Sequence, residues 1–214
     1  MSLLKAHFLR GICKSLLLCL VVSLIIGFGL YSGAQSPASA QPKISDQSLG
    51  VDQLAVYKAI LATWMYDGKQ SLNLATQTDL FPIDGAFDSR DCLKGLDLEP
   101  VQEGVVHRFR PEDVASLKPA NVRLVDREAQ EKEVDNNDPG KAIRQGKSID
   151  SALRNGFAHG IAWFSEIRFD KSHIHAVVFY GFRCGSLCGN GGTAILEKEN
   201  GEWKLKSQCG SWES

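Results

Sequence analysis

Acidic residues are absent from the first forty positions of this chain, where Lys5, Arg10 and Lys14 are the only charges. Other absences are as informative. No G-x-S-x-G elbow occurs, so the usual serine-hydrolase signature is excluded. The glycine-rich stretch Gly185 to Gly192 has neither the lysine nor the following helix of a P-loop, and turn geometry accounts for its glycines. No two cysteines stand in the two-residue spacing of a redox pair. Internal repeats are missing too. Finally, there is no excess of either charge, with 24 basic and 25 acidic side chains in 214 residues.

The acid-free start has a positive assignment. Its basic residues precede an apolar run from Leu16 to Leu30 and a small, polar stretch ending Ala38-Ser39-Ala40. These are the three regions of a secretory signal peptide, with the cut expected between Ala40 and Gln41. The run is longer than a usual signal core and shorter than the ~20 residues that span a bilayer comfortably, so an uncleaved anchor through residues 16–30 stays open. Cys19 follows Leu18 instead of a small residue, which excludes lipidation. Residues 41–214 retain 21 basic and 25 acidic side chains. A mildly acidic exported domain gives no electrostatic reason to expect nucleic acid or anionic lipid as a partner. Membrane contact is expected only through the N-terminal segment where it stays uncleaved, and no pattern calls for a cofactor.

Four cysteines remain after position 40, an even number suited to an oxidising compartment: Cys92, Cys184, Cys188 and Cys209. Of the three possible pairings, Cys184–Cys188 with Cys92–Cys209 is favoured, because five residues in a turn can fold back within the ~7 Å Cα limit of a disulfide. By loop-closure entropy the short bridge stabilises by about 2 kcal/mol and the long one by nearly 5.

Residues 41–50 are polar without period and read as a tether. Residues 51–214 read as one α+β domain. Val51, Leu54, Tyr57, Leu61 and Trp64 recur at helical spacing, with Gly68 as the stop. Leu72 to Thr78 alternates as a short strand, and Gly104–Arg110 and Asn121–Val125 read as further strands. Pro111-Glu112-Asp113 opens a short helix, Arg127 to Val134 a charged surface helix, and Asn136 to Gly140 a loop. Ser148 or Asp150 caps a helix whose buried face is expected to carry Ile149, Leu153 and Phe157.

The last fifty-five residues alternate most clearly. Ile161, Trp163, Ile167 and Phe169 form one strand. Ile174, Ala176, Val178, Tyr180 and Phe182 form the next, Thr193 to Lys198 a third, and Trp203 with Leu205 a fourth. Asn200-Gly201 between alternating runs is a strong hairpin signal. The expected fold class is α+β, a four-stranded antiparallel C-terminal meander packed with helices on one face. Phe164 and Phe179 fall opposite the expected core, under a partner or a second layer.

His173 and His175 have the only metal-ligand spacing, since alternate strand residues share a face. A third ligand such as His159 would have to come from elsewhere, and the pair is expected on the wetter face, so no metal site is expected. His107, His159 and scattered serines and carboxylates form no recognisable catalytic group.

The run from Phe164 to Lys206 resembles a group of uncharacterised exported bacterial proteins. The shared elements are Ser165-Glu-Ile-Arg-Phe169, Ala176-Val-Val-Phe-Tyr180, Cys184-Gly-Ser-Leu-Cys188-Gly-x-Gly-Gly192, Leu196-Glu-Lys198 and Gly201-Glu-Trp203-Lys204. The resemblance implies export and an α+β fold; it brings no activity and no catalytic residue. The leading expectation is a non-enzymatic binding or envelope-associated module with the rigid cysteine loop as its contact surface. The alternative is a hydrolase or metal-assisted enzyme using His173 and His175.

Overall fold

The computed structural model describes residues 41–64, 71–82, 92–100, 103–118 and 120–214. The expected signal segment and the expected stop at Gly68 lie outside these residues. Nine strands and five helices are described: β1 Lys43–Ile44, α1 Val51–Trp64, β2 Leu72–Ala75, β3 Val105–Val106, α2 Asp113–Ser116, β4 Val122–Val125, α3 Arg127–Asn136, α4 Pro139–Arg144, α5 Ile149–His159, β5 Ile161–Phe164, β6 Arg168–Phe169, β7 His175–Gly185, β8 Cys188–Glu199 and β9 Glu202–Glu213. Among the described residues no helix is long and apolar enough to cross a membrane. The main sheet has seven strands in the order β4-β2-β5-β7-β8-β9, with β6 pairing on β7.

The fold is α+β, and its C-terminal half is an antiparallel meander. The Asn200-Gly201 turn is as the sequence requires, both residues having positive φ (52° and 84°). Strands β8 and β9 are longer than the alternation alone indicated, because β8 begins at Cys188 and continues through the glycines. The N-terminal half adds what periodicity did not reveal. Here β2 pairs in parallel with both β4 and β5. Leu74 and Ala75 are buried on opposite sides of β2, as in parallel strands covered on both faces.

Both faces of the sheet are covered, which corrects the expectation of helices on one face. One face carries Leu74, Ala162, Phe164, Ala176, Val178, Tyr180, Ala194, Leu196 and Trp203 against Leu54, Val56, Tyr57, Ile60 and Leu61 of α1 and Leu117 beyond α2. The ring of Tyr57 stacks on Phe164 at 4.9 Å. On the other face, α3 covers Ala75 and Ile161 through Val134, while Val177 and Ile195 lie beneath Phe81, Cys92, Leu93, Leu96, Leu98 and Cys209. Phe164 therefore belongs to the first core and not to the opposite face, since it pairs across from Tyr180. Trp163 is on the second face, under the Arg127 guanidinium at 5.2 Å.

A single extra residue connects the two cores. Leu196 pairs with Leu205 but Ile195 pairs with Ser207, so Lys206 is a bulge. Residues 203, 205, 207 and 209 would share a face in a regular strand; the bulge reverses the phase. Trp203 thus enters the first core, while Cys209 faces the second, where it stands at disulfide distance from Cys92 with Cα atoms 6.4 Å apart.

Several elements differ from their expected form. Residues 41–50 are docked and not a tether: β1 pairs with β3, and Leu49 is buried. Val51, counted on the inner face of α1, is 87% exposed, whereas Val56 and Ile60 are fully buried. The expected loop at Asn136–Gly140 shrinks to two residues, because Pro139 starts α4 behind the cap Asp138. In α5 the buried positions are Ala152 and Gly156. Ile149 and Phe157 are exposed, since close packing selects the small residues: a Cβ on Gly156 would lie 2.4 Å from Pro139 Cγ.

Asp52 ties the first turn of α1 to the meander, accepting hydrogen bonds from Lys198 Nζ at 2.8 Å and Trp203 Nε1 at 3.2 Å. The bond to Lys198 holds its carboxyl below the usual range. We predict that Trp203→Ala costs ~3–5 kcal/mol, the range of large-to-small core changes, whereas Lys204→Ala, on the exposed side of β9, changes stability by less than about 0.5 kcal/mol. Denaturant unfolding of both variants checks this; similar losses would mean that the phase of β9 is wrong.

Candidate functional site

The carboxyl ends of the parallel strands β2, β4 and β5 meet at one edge of the sheet, where open α/β arrangements commonly seat ligands. Beyond Ala75 the chain stays extended and is held from three sides. Thr76 donates to Val125 O at 2.9 Å, Thr78 N to His107 O at 3.0 Å, and Asp79 N to Phe164 O at 2.8 Å. The result is a cleft of about 350 Å³ lined by Pro42, Thr76, Gln77, Thr78, Asp79, Leu80, Val106, Asp126 and Arg127.

Below Thr78 lies a compact polar group. Oε1 of Glu166 accepts from the backbone N–H of His107 at 2.7 Å and from the Thr78 hydroxyl. Its Oε2 is 2.8 Å from His107 Nδ1, and the two side chains are only 12% and 15% exposed. The carboxylate fixes the imidazole through Nδ1, which turns Nε2 away from it; this is the way a carboxylate orients a histidine base. Two further observations mark the reach of this charge. Burial, and then the Glu166 carboxylate, push the Tyr57 phenol well above its usual range. Tyr57 remains a donor, to Ser165 O at 3.0 Å.

Arg127 is the cleft's cation, and it is already matched. Its guanidinium contacts Asp79 at 2.5 Å and Glu131 at 3.0 Å. Partial desolvation opposes its charge, but the two carboxylates outweigh that and raise its pKa further. Asp126 caps α3 by accepting from Ala129 N at 2.9 Å. Among the described residues the cleft thus offers hydroxyl, amide and carboxylate groups, and its lining cation Arg127 is matched.

His173 and His175 do not form one donor set. His173 sits outside β7 in a left-handed turn (φ 53°), against the Phe169 ring and 3.2 Å from Glu99. His175 begins the strand, with Nδ1 3.1 Å from Asp170 and Nε2 3.3 Å from Lys206 Nζ. His159 caps its own helix through Asn155 O at 2.9 Å. Among the described residues no group of three or more His, Cys, Asp or Glu is arranged to hold a metal ion. Asp170 acts structurally here: burial opposes its charge, but bonds from Ser172, His175 and Ile174 hold its carboxyl far below the usual range.

The cysteine loop is smaller than its sequence suggested. Gly185 pairs directly with Cys188, leaving only Ser186 and Leu187 in the turn, and the Cys184 and Cys188 Cα atoms are 5.1 Å apart, within disulfide reach. The site residues that mattered were not singled out from the sequence. Thr78 read as the end of a strand, Glu166 lay within the strand expected over Ile161–Phe169 with no role assigned, and 59 positions separate Glu166 from His107. Only the topology brings them together.

The chain matches no protein-family model, no curated protein and no solved structure.

The Glu166 cluster gives a stability test. Glu166→Ala removes the carboxylate partner of His107 Nδ1, the His107 N–H and the Thr78 hydroxyl in a mostly buried setting, leaving the last two only their bonds to each other's residue, and should cost roughly 1–3 kcal/mol. Glu166→Gln keeps one acceptor oxygen and should lose about half as much. Equal, small effects on unfolding by denaturant would contradict the described network.

Proposed function

We propose that this chain is an exported, non-enzymatic binding or envelope-associated module that seats a small polar ligand at the carboxyl edge of β2 and β4. The cleft is the observation that carries the reading. Its volume, about 350 Å³, falls within the range of small-molecule sites. Its walls favour a ligand rich in hydroxyl or amide groups. Gln77 supplies a donor and an acceptor and Thr76 Oγ1 an acceptor, its proton being given to Val125 O; Pro42, Leu80 and Val106 supply apolar contact, and Arg127 is already engaged by Asp79 and Glu131. Export is supported by the N-terminal charge and hydropathy pattern and by two cysteine pairs at disulfide distance. The cysteine loop is the weaker contact surface, since two turn residues present too few groups to enclose a small molecule.

An enzyme remains the second reading, on a different basis from the His173 and His175 pair. The His107–Glu166 couple has the geometry of an oriented general base. The adjacent Thr78 hydroxyl is held by Glu166 and by the His107 backbone, which makes it a structural member of the group in this reading.

N-acetylglucosamine and alanyl-alanine are suitable probes, carrying hydroxyl and amide groups. In amide NMR titrations at least one should shift the signals of Thr76 to Asp79 and of Asp126 and Arg127, and Gln77→Ala should weaken the effect. Shifts centred on Ser186 and Leu187, or none at the cleft with either probe, would contradict this assignment.

A further inference from the structure

At the opposite end of the sheet from the cleft, α4, α5 and the β7–β8 turn form a single platform. Asp138 joins them. Its carboxylate accepts from Lys141 N at 3.0 Å and Ser186 N at 2.8 Å, and Pro139 packs against both Gly156 and Gly185. Burial opposes the Asp138 charge, but these bonds hold its pKa at about 2. The platform exposes apolar side chains at its protruding points: Ile149 (61% exposed) at the start of α5, Phe157 (47%) on the same helix, and Leu187 (70%) at the hairpin tip. Ile149, Leu153 and Phe157 are spaced by four and line one stripe of α5. Ile143 is also exposed.

The charge of this end departs from the rest of the domain. Residues 138–160 hold four of the 21 basic side chains of residues 41–214 and two of their 25 acidic ones, Asp150 and the buried, hydrogen-bonded Asp138. Arg144, Lys147 and Arg154 are exposed and, among the described residues, take part in no ion pair. The mild net negative charge of the whole domain conceals this local excess.

We propose that this end docks on an anionic phospholipid surface, with Ile149, Phe157 and Leu187 inserting shallowly and Arg144, Lys147 and Arg154 meeting the headgroups. Apolar points surrounded by unmatched basic residues are the pattern of an element lying in the membrane interface. A two-fold pairing of this face with a second copy is disfavoured, because it would set the same basic residues against one another. The inference deepens the envelope-associated reading by naming the partner, and it is independent of what the cleft holds.

The test uses the full chain with two kinds of vesicle, phosphatidylcholine alone and phosphatidylcholine mixed with phosphatidylglycerol. The apolar run at residues 16–30 brings an uncleaved chain to either kind, and Lys5, Arg10 and Lys14 before it favour the anionic one, so the exchange of the platform residues and the loss of slowing in the triple variant isolate the platform. Hydrogen–deuterium exchange of residues 143–150 and 187 should slow several-fold with phosphatidylglycerol at low salt and revert at high salt. The triple variant R144Q/K147Q/R154Q should lose the slowing. At ~1 kcal/mol for each basic residue near an anionic surface, its docking weakens roughly a hundredfold. The control K58E/K118E should retain it. Equal exchange in both vesicle types, an unaffected triple variant, or slowing that rises with protein concentration without lipid would each overturn the proposal, the last in favour of a second copy. Failure of the cleft titrations would leave this result untouched.

Discussion

The two-faced burial of β7 and β8 is the constraint on which the rest of the structure depends. Consecutive residues Ala176, Val177 and Val178, and Ala194, Ile195 and Leu196, are apolar, so neither face of this strand pair can be left to water. Helix α1 covers one face. The other needs a second cover, and among the described residues Phe81 and residues 92–98 supply it over Val177 and Ile195. An irregular segment gains little from its own backbone hydrogen bonds, and linking it to the sheet compensates. A Cys92–Cys209 bridge closes a loop of 117 residues, worth about 5 kcal/mol by chain entropy. That bridge is possible only because the bulge at Lys206 turns Cys209 to the second face.

How far this was legible in the sequence follows from the range of each signal. Local signals did well where turns and caps set them: the Asn200-Gly201 turn, the capping Ser148 and the strands after His175 correspond to observed elements. The short helix, however, starts at Asp113 behind the cap Glu112 with Pro111 ahead of it. The strand expected over Ile161–Phe169 divides into β5 and β6, with Ile161 and Trp163 on one face and Ile167 and Phe169 on the other. Signals that depend on what lies opposite did poorly. Ile149, Leu153 and Phe157 form a good apolar stripe, yet α5 buries Ala152 and Gly156, because tight packing on Pro139 admits only small residues. The parallel pairing of β2 with β4 and β5 leaves no mark within any one strand. The docking of residues 43–49 likewise depends on β3, sixty positions away. The candidate site failed for the same reason. His107, Thr78 and Glu166 come from three separated segments, each unremarkable alone, and the crossing of three strand ends assembles them.

The cleft and the platform, the two surfaces proposed to bind, lie at opposite ends of the same sheet. The cleft is at the carboxyl ends of β2, β4 and β5, where strand termini leave backbone and side-chain polar groups pointing outward. The basic, apolar platform is where β5 starts and β7 ends. A domain held at a membrane by one end would present the other to solutes. Asp138 serves this division directly, since one carboxylate caps α4 and fixes the hairpin tip that carries Leu187.

The central claim is that a bulge-directed bridge between Cys92 and Cys209 fastens the second cover of the sheet. Non-reducing peptide mapping of the protein produced in an oxidising compartment tests it most directly. The account predicts that one fragment joins Cys92 to Cys209 and another joins Cys184 to Cys188. Cross-pairing between the two sets, or free thiols at Cys92 and Cys209, would contradict it.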